Sequence, residues 1–207
     1  MCRAIVLGIA FLAAHALAAC GGDNDHDDLE SRALDAGTTR GQALQAQAAQ
    51  DFAGCTESEA IAKAAGVAFA IDNGEIAQAD HVLSKIGMVR VRVLATQILT
   101  DHRANSSALL TLIKNRNLAP IETSVSNALT GEASAGLAQL QADELRNLSI
   151  DHARMQIAMH REASMVVGTV RDLVPASAAD IRGLLSDMLT MIGDHQVHAE
   201  TVLRDLP

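Results

Sequence analysis

Apolar residues recur at spacings of three and four along four long segments of the chain, which is the periodicity of helices that bury one face. The most regular segment, about 178–203, carries the stripe Ile181, Leu184, Met188, Met191, His195, His198 and Val202. The other three segments span about residues 56–86, 88–117 and 150–174. No stretch shows the apolar–polar alternation of a half-buried strand. The sequence therefore predicts an all-α protein.

Capping and helix-breaking residues mark the ends of these segments. Thr56-Glu57-Ser58-Glu59 has the pattern of a capping box and opens the first helix, which Asp72-Asn73-Gly74 is expected to interrupt. Asn117 and Pro120 end the second helix, because proline cannot continue the helical hydrogen-bond ladder. Ser177 is expected to cap the last helix.

The stretch between the second and third long helices is rich in small and polar residues. Residues 121–136 are expected to form a crossover with one short helix at most, and residues 137–145 a further short helical piece. Four principal helices with connections of this kind predict an antiparallel bundle, which we assign to residues 56–207.

The N-terminus has the pattern of an export signal. A single positive residue, Arg3, precedes an apolar run that is too short to span a membrane, so residues 1–19 are predicted to be a signal peptide. Leu17-Ala18-Ala19-Cys20 resembles the bacterial lipobox, in which the cysteine is acylated. Gly21 after this cysteine implies a periplasm-facing anchor in the outer membrane, and residues 20–55 are expected to form a flexible tether. The alternative is a plain secreted protein cleaved nearby.

Composition narrows the range of partners. The formal net charge is −9, so nucleic acid is not an expected partner, whereas cations are. The chain contains no Trp or Tyr, so small aliphatic side chains must fill the core.

Once Cys2 leaves with the signal peptide and Cys20 carries lipid, Cys55 alone remains and no internal disulfide can form. We expect Cys55 to be inert, because no cationic residue lies within three positions of it.

Histidine and carboxylate side chains supply the candidate chemistry. Five of the eight histidines directly follow an aspartate. His102, His160 and His195 each occupy a place in an apolar stripe, one per helix, so three imidazoles could converge in the core on a transition metal such as Cu, Zn or Fe. Glu75 and Asp151 are candidate oxygen ligands. His198, one turn beyond His195, is a candidate sixth ligand.

Other interpretations of these residues remain open. Each histidine could be a hydrogen-bonded core residue without a metal, and His81 and His152 are expected to lie on solvated faces. Met155, Met159, Met188 and Met191 could bind copper, although packing is the favoured role. A ferritin-type di-iron site is not expected, because the chain has no Glu-x-x-His spacing. Nor is there a recognisable nucleophile or phosphate-binding motif, which argues against an enzyme. A metal-dependent oxidase is a third and less favoured hypothesis, because the Glu-x-x-His spacing is missing.

Several stretches resemble the family called domain of unknown function 4142. The first half of the family pattern is matched by Glu75–Ala79 and by the stretch from Val91 through Asp101-His102. The second half is matched by Leu148–Ala153, Met159-His160 and the closing stretch with His195. The similarity spans about residues 71–203. Aromatic residues that the family often has near Asp151 are absent here.

The resemblance implies a ferritin-like four-helix bundle that is exported, often as a lipoprotein, without an established activity. Because three imidazoles lie on three apolar stripes of an acidic chain with an export signal, we expect an envelope lipoprotein that binds a transition metal for buffering or stress protection. The alternative is an envelope interaction or structural protein whose core histidines only support the fold.

Overall fold

The computed structural model describes residues 25–206, which form six helices and no strand within that range. The helices are α1 (Asp25–Asp51), α2 (Glu57–Lys85), α3 (Val89–Asn115), α4 (Ser124–Ala142), α5 (Leu145–Leu173) and α6 (Ala179–Arg204). The predicted all-α class is confirmed. Among the described helices none is both long and apolar enough to cross a membrane. Cys20 and the expected signal peptide lie outside the described residues.

The four long helices predicted from periodicity correspond to α2, α3, α5 and α6. The Thr56–Glu59 capping box opens α2 as expected, with both reciprocal hydrogen bonds formed. The second long helix ends before Asn117, whose left-handed backbone (φ 52°) stops α3. Ser177 does not cap α6, since Ala178 holds that position and the Ser177 hydroxyl contacts Glu57 instead.

Three further expectations about local structure were also wrong. Asp72-Asn73-Gly74 does not interrupt α2, which runs unbroken from Glu57 to Lys85. Residues 124–142 form one helix, α4, instead of a crossover with short pieces, and α4 packs on α2. Most of the expected flexible tether is helical as well, because α1 covers residues 25–51 and packs along α5.

The contact between α1 and α5 depends on small residues. Ala33, Gly37, Gly41, Leu44 and Ala48 form the buried stripe of α1, at spacings of four, four, three and four. A Cβ atom at Gly37 would collide with the backbone carbonyl of Ala158, so the two helix backbones lie very close together. Glycine is a weak helix former and usually indicates a loop, which is why the sequence pattern concealed this helix.

Two apolar clusters fill opposite ends of the bundle. The first includes Ile61 and Ile71 of α2, Leu109 of α3, Val166 of α5 and Ile192 of α6. The second is built from other parts of the same four helices, namely Val82, Leu94, Ile157 and Val202 with their neighbours. Between the clusters each of these helices places polar side chains in the interior, and this polar layer contains the histidines.

Replacing Gly37 by Ala tests the close packing of α1. The added methyl group must push the α5 backbone away, so we expect Gly37→Ala to lower the free energy of unfolding by about 1–3 kcal/mol. Gly131→Ala is the matched control, because a Cβ atom at this α4 position meets nothing within 4 Å. The control should be neutral or stabilising by about 0.5–1 kcal/mol. Urea unfolding curves that shifted equally for both variants would contradict this account of α1.

Candidate metal centre

The polar layer contains buried side chains from all four long helices. Its members are Asp72, Glu75 and Gln78 of α2, His102 of α3, Gln156 and His160 of α5, and His195 of α6. Burying a polar group without a partner destabilises a fold by about 1–3 kcal/mol. The hydrogen bonds within this layer therefore decide what it can do.

His102 is oriented by Asp72. The Nδ1 atom of His102 lies 2.8 Å from Oδ1 of Asp72, and both side chains are fully buried. Oδ2 of Asp72 accepts further hydrogen bonds from Asn105 Nδ2 and Ser106 Oγ, both at 2.9 Å. With three donors around it, the carboxylate is an acceptor, so Nδ1 of His102 carries a proton. In the neutral ring the lone pair then belongs to Nε2.

His160 and His195 are oriented in the same way by other acceptors. Nδ1 of His160 donates to the backbone carbonyl of Gln156, four residues earlier in α5, at 2.8 Å. Nε2 of His195 lies 2.9 Å from Oδ2 of Asp101, on α3. These contacts leave the lone pair of His160 on Nε2 and that of His195 on Nδ1. Asp101 thus meets a histidine on another helix rather than its neighbour His102, as the 100° step between adjacent helical residues requires.

The three lone pairs face a common centre. Nε2 of His160 lies 3.2 Å from Nδ1 of His195, while Nε2 of His102 is buried without a hydrogen-bond partner among the described residues. The ring centroids are 5.2 to 6.0 Å apart, and one ligand nitrogen from each ring lies within 4.8 Å of the others. Two lone pairs facing each other at 3.2 Å repel unless a proton or a metal cation lies between them.

Burial disfavours a proton as that cation. It lowers the pKa of His160 to about 3, with a further contribution from His102, and the Gln156 carbonyl only partly opposes the shift. For His195, burial and then His160 lower the pKa to about 4 despite the hydrogen bond to Asp101. At neutral pH these two rings are therefore neutral, which is the form that binds metals.

Glu75 adds a carboxylate beside the histidines. Its Oε1 atom is 3.9 Å from Nδ1 of His160, and its Oε2 atom has no partner among the described residues. Burial raises the pKa of Glu75. The neighbouring His102, a hydrogen bond with Gln156, and His195 oppose this shift without cancelling it. Oε1 approaches His160 on its Nδ1–H side, and Glu75 is not among the residues whose ligand atoms lie within 4.8 Å of one another. Glu75 therefore lies beside the cluster and would have to rotate toward its centre to act as a fourth ligand.

The structure places the sequence-predicted ligands in two groups. His102, His160 and His195 come together, with Glu75 beside them. Asp151 does not join them, because it lies off the stripe of α5 and its nearest charged partner is Arg154 at 3.6 Å. His198 does not join them either, since its Nδ1 atom faces Oε1 of Gln97 at 2.8 Å.

Sequence reasoning missed several residues of this region. Asp72 was interpreted as part of a helix break, although it lies one turn before Glu75 on the same face of α2. His152 was expected on a solvated face but is fully buried, and neither of its ring nitrogens has a partner among the described residues. Its spacing of four from Gln156 and eight from His160 was the available signal.

The environment of Cys55 also differs from expectation. The Nζ atom of Lys63, eight residues away along the chain, lies 3.1 Å from its Sγ atom. A window of three positions on either side of Cys55 does not reach Lys63, so this cationic neighbour was missed.

The fold and site define a class of protein: an all-helical bundle with three histidines clustered in its core. The chain belongs to the family described as Domain of unknown function (DUF4142), whose profile matches residues 38–202. The suspected family is thereby confirmed, and α1 is partly within the matched region. Neither the curated proteins nor the solved structures include a match to this chain.

His152 gives the fold a specific pH dependence. Burial and the nearby His160 lower its pKa to about 3, whereas the ordinary value of 6.5 applies in the unfolded chain. Between these values the unfolded chain binds the proton and the folded chain does not, so stability is lost as the pH falls. We expect His152→Leu to reduce the slope of the free energy of unfolding below pH 6.5 by about 1.4 kcal/mol per pH unit. Parallel curves for the variant and the unaltered protein in urea unfolding between pH 6.5 and 4.5 would contradict this assignment.

Proposed function

We propose that this protein binds a transition metal ion at His102, His160 and His195, with Glu75 as an oxygen ligand, and serves to buffer the metal or protect against metal stress. The observation that carries the proposal is the cluster of three buried imidazoles, which have one nitrogen each within 4.8 Å of the others and an acceptor beside the other ring nitrogen. Carboxylates and carbonyls in that position orient histidine ligands in known metal sites.

The distances are compatible with one ion. Metal–nitrogen bonds of 2.0–2.1 Å at tetrahedral angles place ligand nitrogens about 3.4 Å apart. The nitrogens of His160 and His195 are 3.2 Å apart, and all three ligand atoms lie within 4.8 Å. An ion would therefore need to draw His102 inward by no more than about 1.5 Å.

The donor set favours some metals over others. Neutral imidazoles suit zinc, copper and iron, and a single carboxylate does not change that preference. Met188 and Met191 pack in the first apolar cluster and Met155 packs against the second, so these methionines are not part of the set. With a single carboxylate beside the three histidines and no Glu-x-x-His spacing, ferritin-type di-iron chemistry is not proposed. We propose a binding role without catalysis.

Isothermal titration of the tag-free protein with copper, zinc and iron tests the proposal. We expect one equivalent of at least one metal to bind, and His102→Ala to weaken that binding by more than about 100-fold, since loss of a supporting residue alone costs 10–100-fold. His198→Ala is the matched control and should bind as the unaltered protein does. The alternative of purely structural histidines predicts a lower melting temperature for His102→Ala with unchanged metal uptake, and that result would end the proposal.

Asp72→Asn refines the same titration. The amide can still contact Nδ1 of His102 but no longer carries the charge that makes the ring a stronger ligand, so we expect affinity to fall by about 10–100-fold. Asp80→Asn is the matched control, because it removes one charge from an exposed position of the same helix, where the carboxylate pairs with Arg103. This variant should bind the metal with unchanged affinity. Equal affinities for the two variants would exclude a supporting role for Asp72.

The architecture and location are also proposed. We infer that α2, α3, α5 and α6 form an antiparallel, ferritin-like unit to which α1 and α4 are added, because these four helices carry the predicted apolar stripes and supply the candidate ligands. We further propose that the chain is exported with residues 1–19 as signal peptide. In this proposal lipid on Cys20 then holds the bundle on the periplasmic face of the outer membrane.

The anchoring proposal rests on the Leu17-Ala18-Ala19-Cys20 pattern after the apolar run. Cys20→Ser removes the acylation site, so the protein should move from the membrane fraction to the soluble envelope fraction. Fractionation with labelled palmitate provides the measurement, with Cys55→Ser as the matched control that keeps label and membrane location. Label retained by the Cys20→Ser variant would rule out this anchor.

A further inference from the structure

A small cavity lies between the partly exposed Glu132 and the buried Glu75, the carboxylate next to the histidine cluster. It has a volume of about 20 Å³, which is enough for one water molecule or a bare metal ion. Helices α2, α4 and α5 supply its walls. Its lining includes Glu75, Glu132, Met159 and Glu162 among small and aliphatic side chains.

Three glutamates form a series of increasing burial around this cavity. The side chain of Glu132 on α4 is 38% exposed, that of Glu162 on α5 is 3% exposed, and that of Glu75 on α2 is 1% exposed. The innermost carboxylate keeps one oxygen without a partner among the described residues. Carboxylates that continue from the surface to an unpartnered buried oxygen offer a cation successive points of attraction.

Arg40 of α1 closes the outer end of this series. Its Nε atom lies 2.7 Å from Oε2 of Glu162 and 3.6 Å from Oε2 of Glu132. One guanidinium thus faces the two outer carboxylates of the series and competes with a cation for them. Because Arg40 is itself about one-third exposed, it can turn outward into solvent without disturbing the core.

The other opening near the cluster is less suited to cation passage. A wide groove between α3 and α6 is lined by Asp101, Asp187 and Asp194. Asp101 already accepts the Nε2 proton of His195, so this carboxylate oxygen is not free for an incoming ion. None of the buried polar atoms without a partner among the described residues belongs to this groove.

We propose that Glu132 and Glu162, gated by Arg40, form the route by which a divalent cation reaches Glu75 and the histidine cluster. This inference rests on the proposed metal site but concerns the rate of exchange rather than the affinity. Neutralising a carboxylate of the route should slow both uptake and release, whereas removing the Arg40 charge should accelerate both. The equilibrium affinity should stay within about twofold, since none of these residues is a ligand of the bound ion.

Stopped-flow exchange of Zn²⁺ with the full chain, followed by a zinc-selective fluorescent dye, tests the route. We expect Glu132→Gln to slow uptake by about tenfold and Arg40→Met to speed it by a similar factor. Glu162→Gln should have a smaller effect near neutral pH, because burial, with Glu132, raises the pKa of Glu162 to about 8 against the opposing effect of Arg40. Asp187→Asn removes the same charge from the α3–α6 groove and should leave the rates unchanged. Glu132 is exposed, so its variant will report on the route even if Glu162→Gln lowers stability.

The outcomes separate the two proposals. If Zn²⁺ does not bind, or binds equally well to His102→Ala, the metal site itself is refuted and the route with it. If Zn²⁺ binds through His102 but Glu132→Gln and Arg40→Met exchange at the unaltered rate, the route is refuted while the metal site stands. Slower exchange in Asp187→Asn alone would assign passage to the α3–α6 groove and overturn the inference.

Discussion

The site depends on three acceptors that take the N–H groups of three buried imidazoles: the carboxylates of Asp72 and Asp101 and the backbone carbonyl of Gln156. An imidazole has one donor and one acceptor when neutral, so fixing the donor on the outside fixes the lone pair on the inside. Each acceptor lies on a helix that also packs in the core. The orientation of each ring is therefore fixed by the packing of the helices. Without these contacts the same rings could satisfy one another and offer nothing to a metal.

The rest of the fold accommodates this constraint. Two apolar clusters lie on either side of the polar layer and stabilise the four long helices, so the layer itself need not contribute to folding. The buried atoms that have no partner within residues 25–206, among them Nε2 of His102 and Oε2 of Glu75, each destabilise the metal-free fold by about 1–3 kcal/mol. An ion that binds only the folded chain would offset this cost, which links metal loading to stability.

Periodicity was sufficient to predict the four long helices and the three histidines, because each ring takes the place of an apolar residue in a stripe. Periodicity was not sufficient to predict the hydrogen-bond partners of those rings. Asp72 was interpreted as part of a helix break, and every residue has a backbone carbonyl, so the role of the Gln156 carbonyl cannot be recognised from the residue type. Nor could periodicity find α1, whose buried face contains Gly37 and Gly41 and so lacks apolar contrast. Asp151 and His198 were reasonable ligands by position, but helix rotation turns both toward other partners.

The protonation of the ring nitrogens in the metal-free protein tests the central claim most directly. Long-range ¹H–¹⁵N correlation spectra of the ¹⁵N-labelled protein near neutral pH distinguish the two tautomers of each histidine. The account predicts a proton on Nδ1 of His102 and of His160, and on Nε2 of His195. A proton on Nε2 of His160 or on Nδ1 of His195 would contradict it, because these two rings would then share an ordinary hydrogen bond across their 3.2 Å separation and leave no cluster of lone pairs.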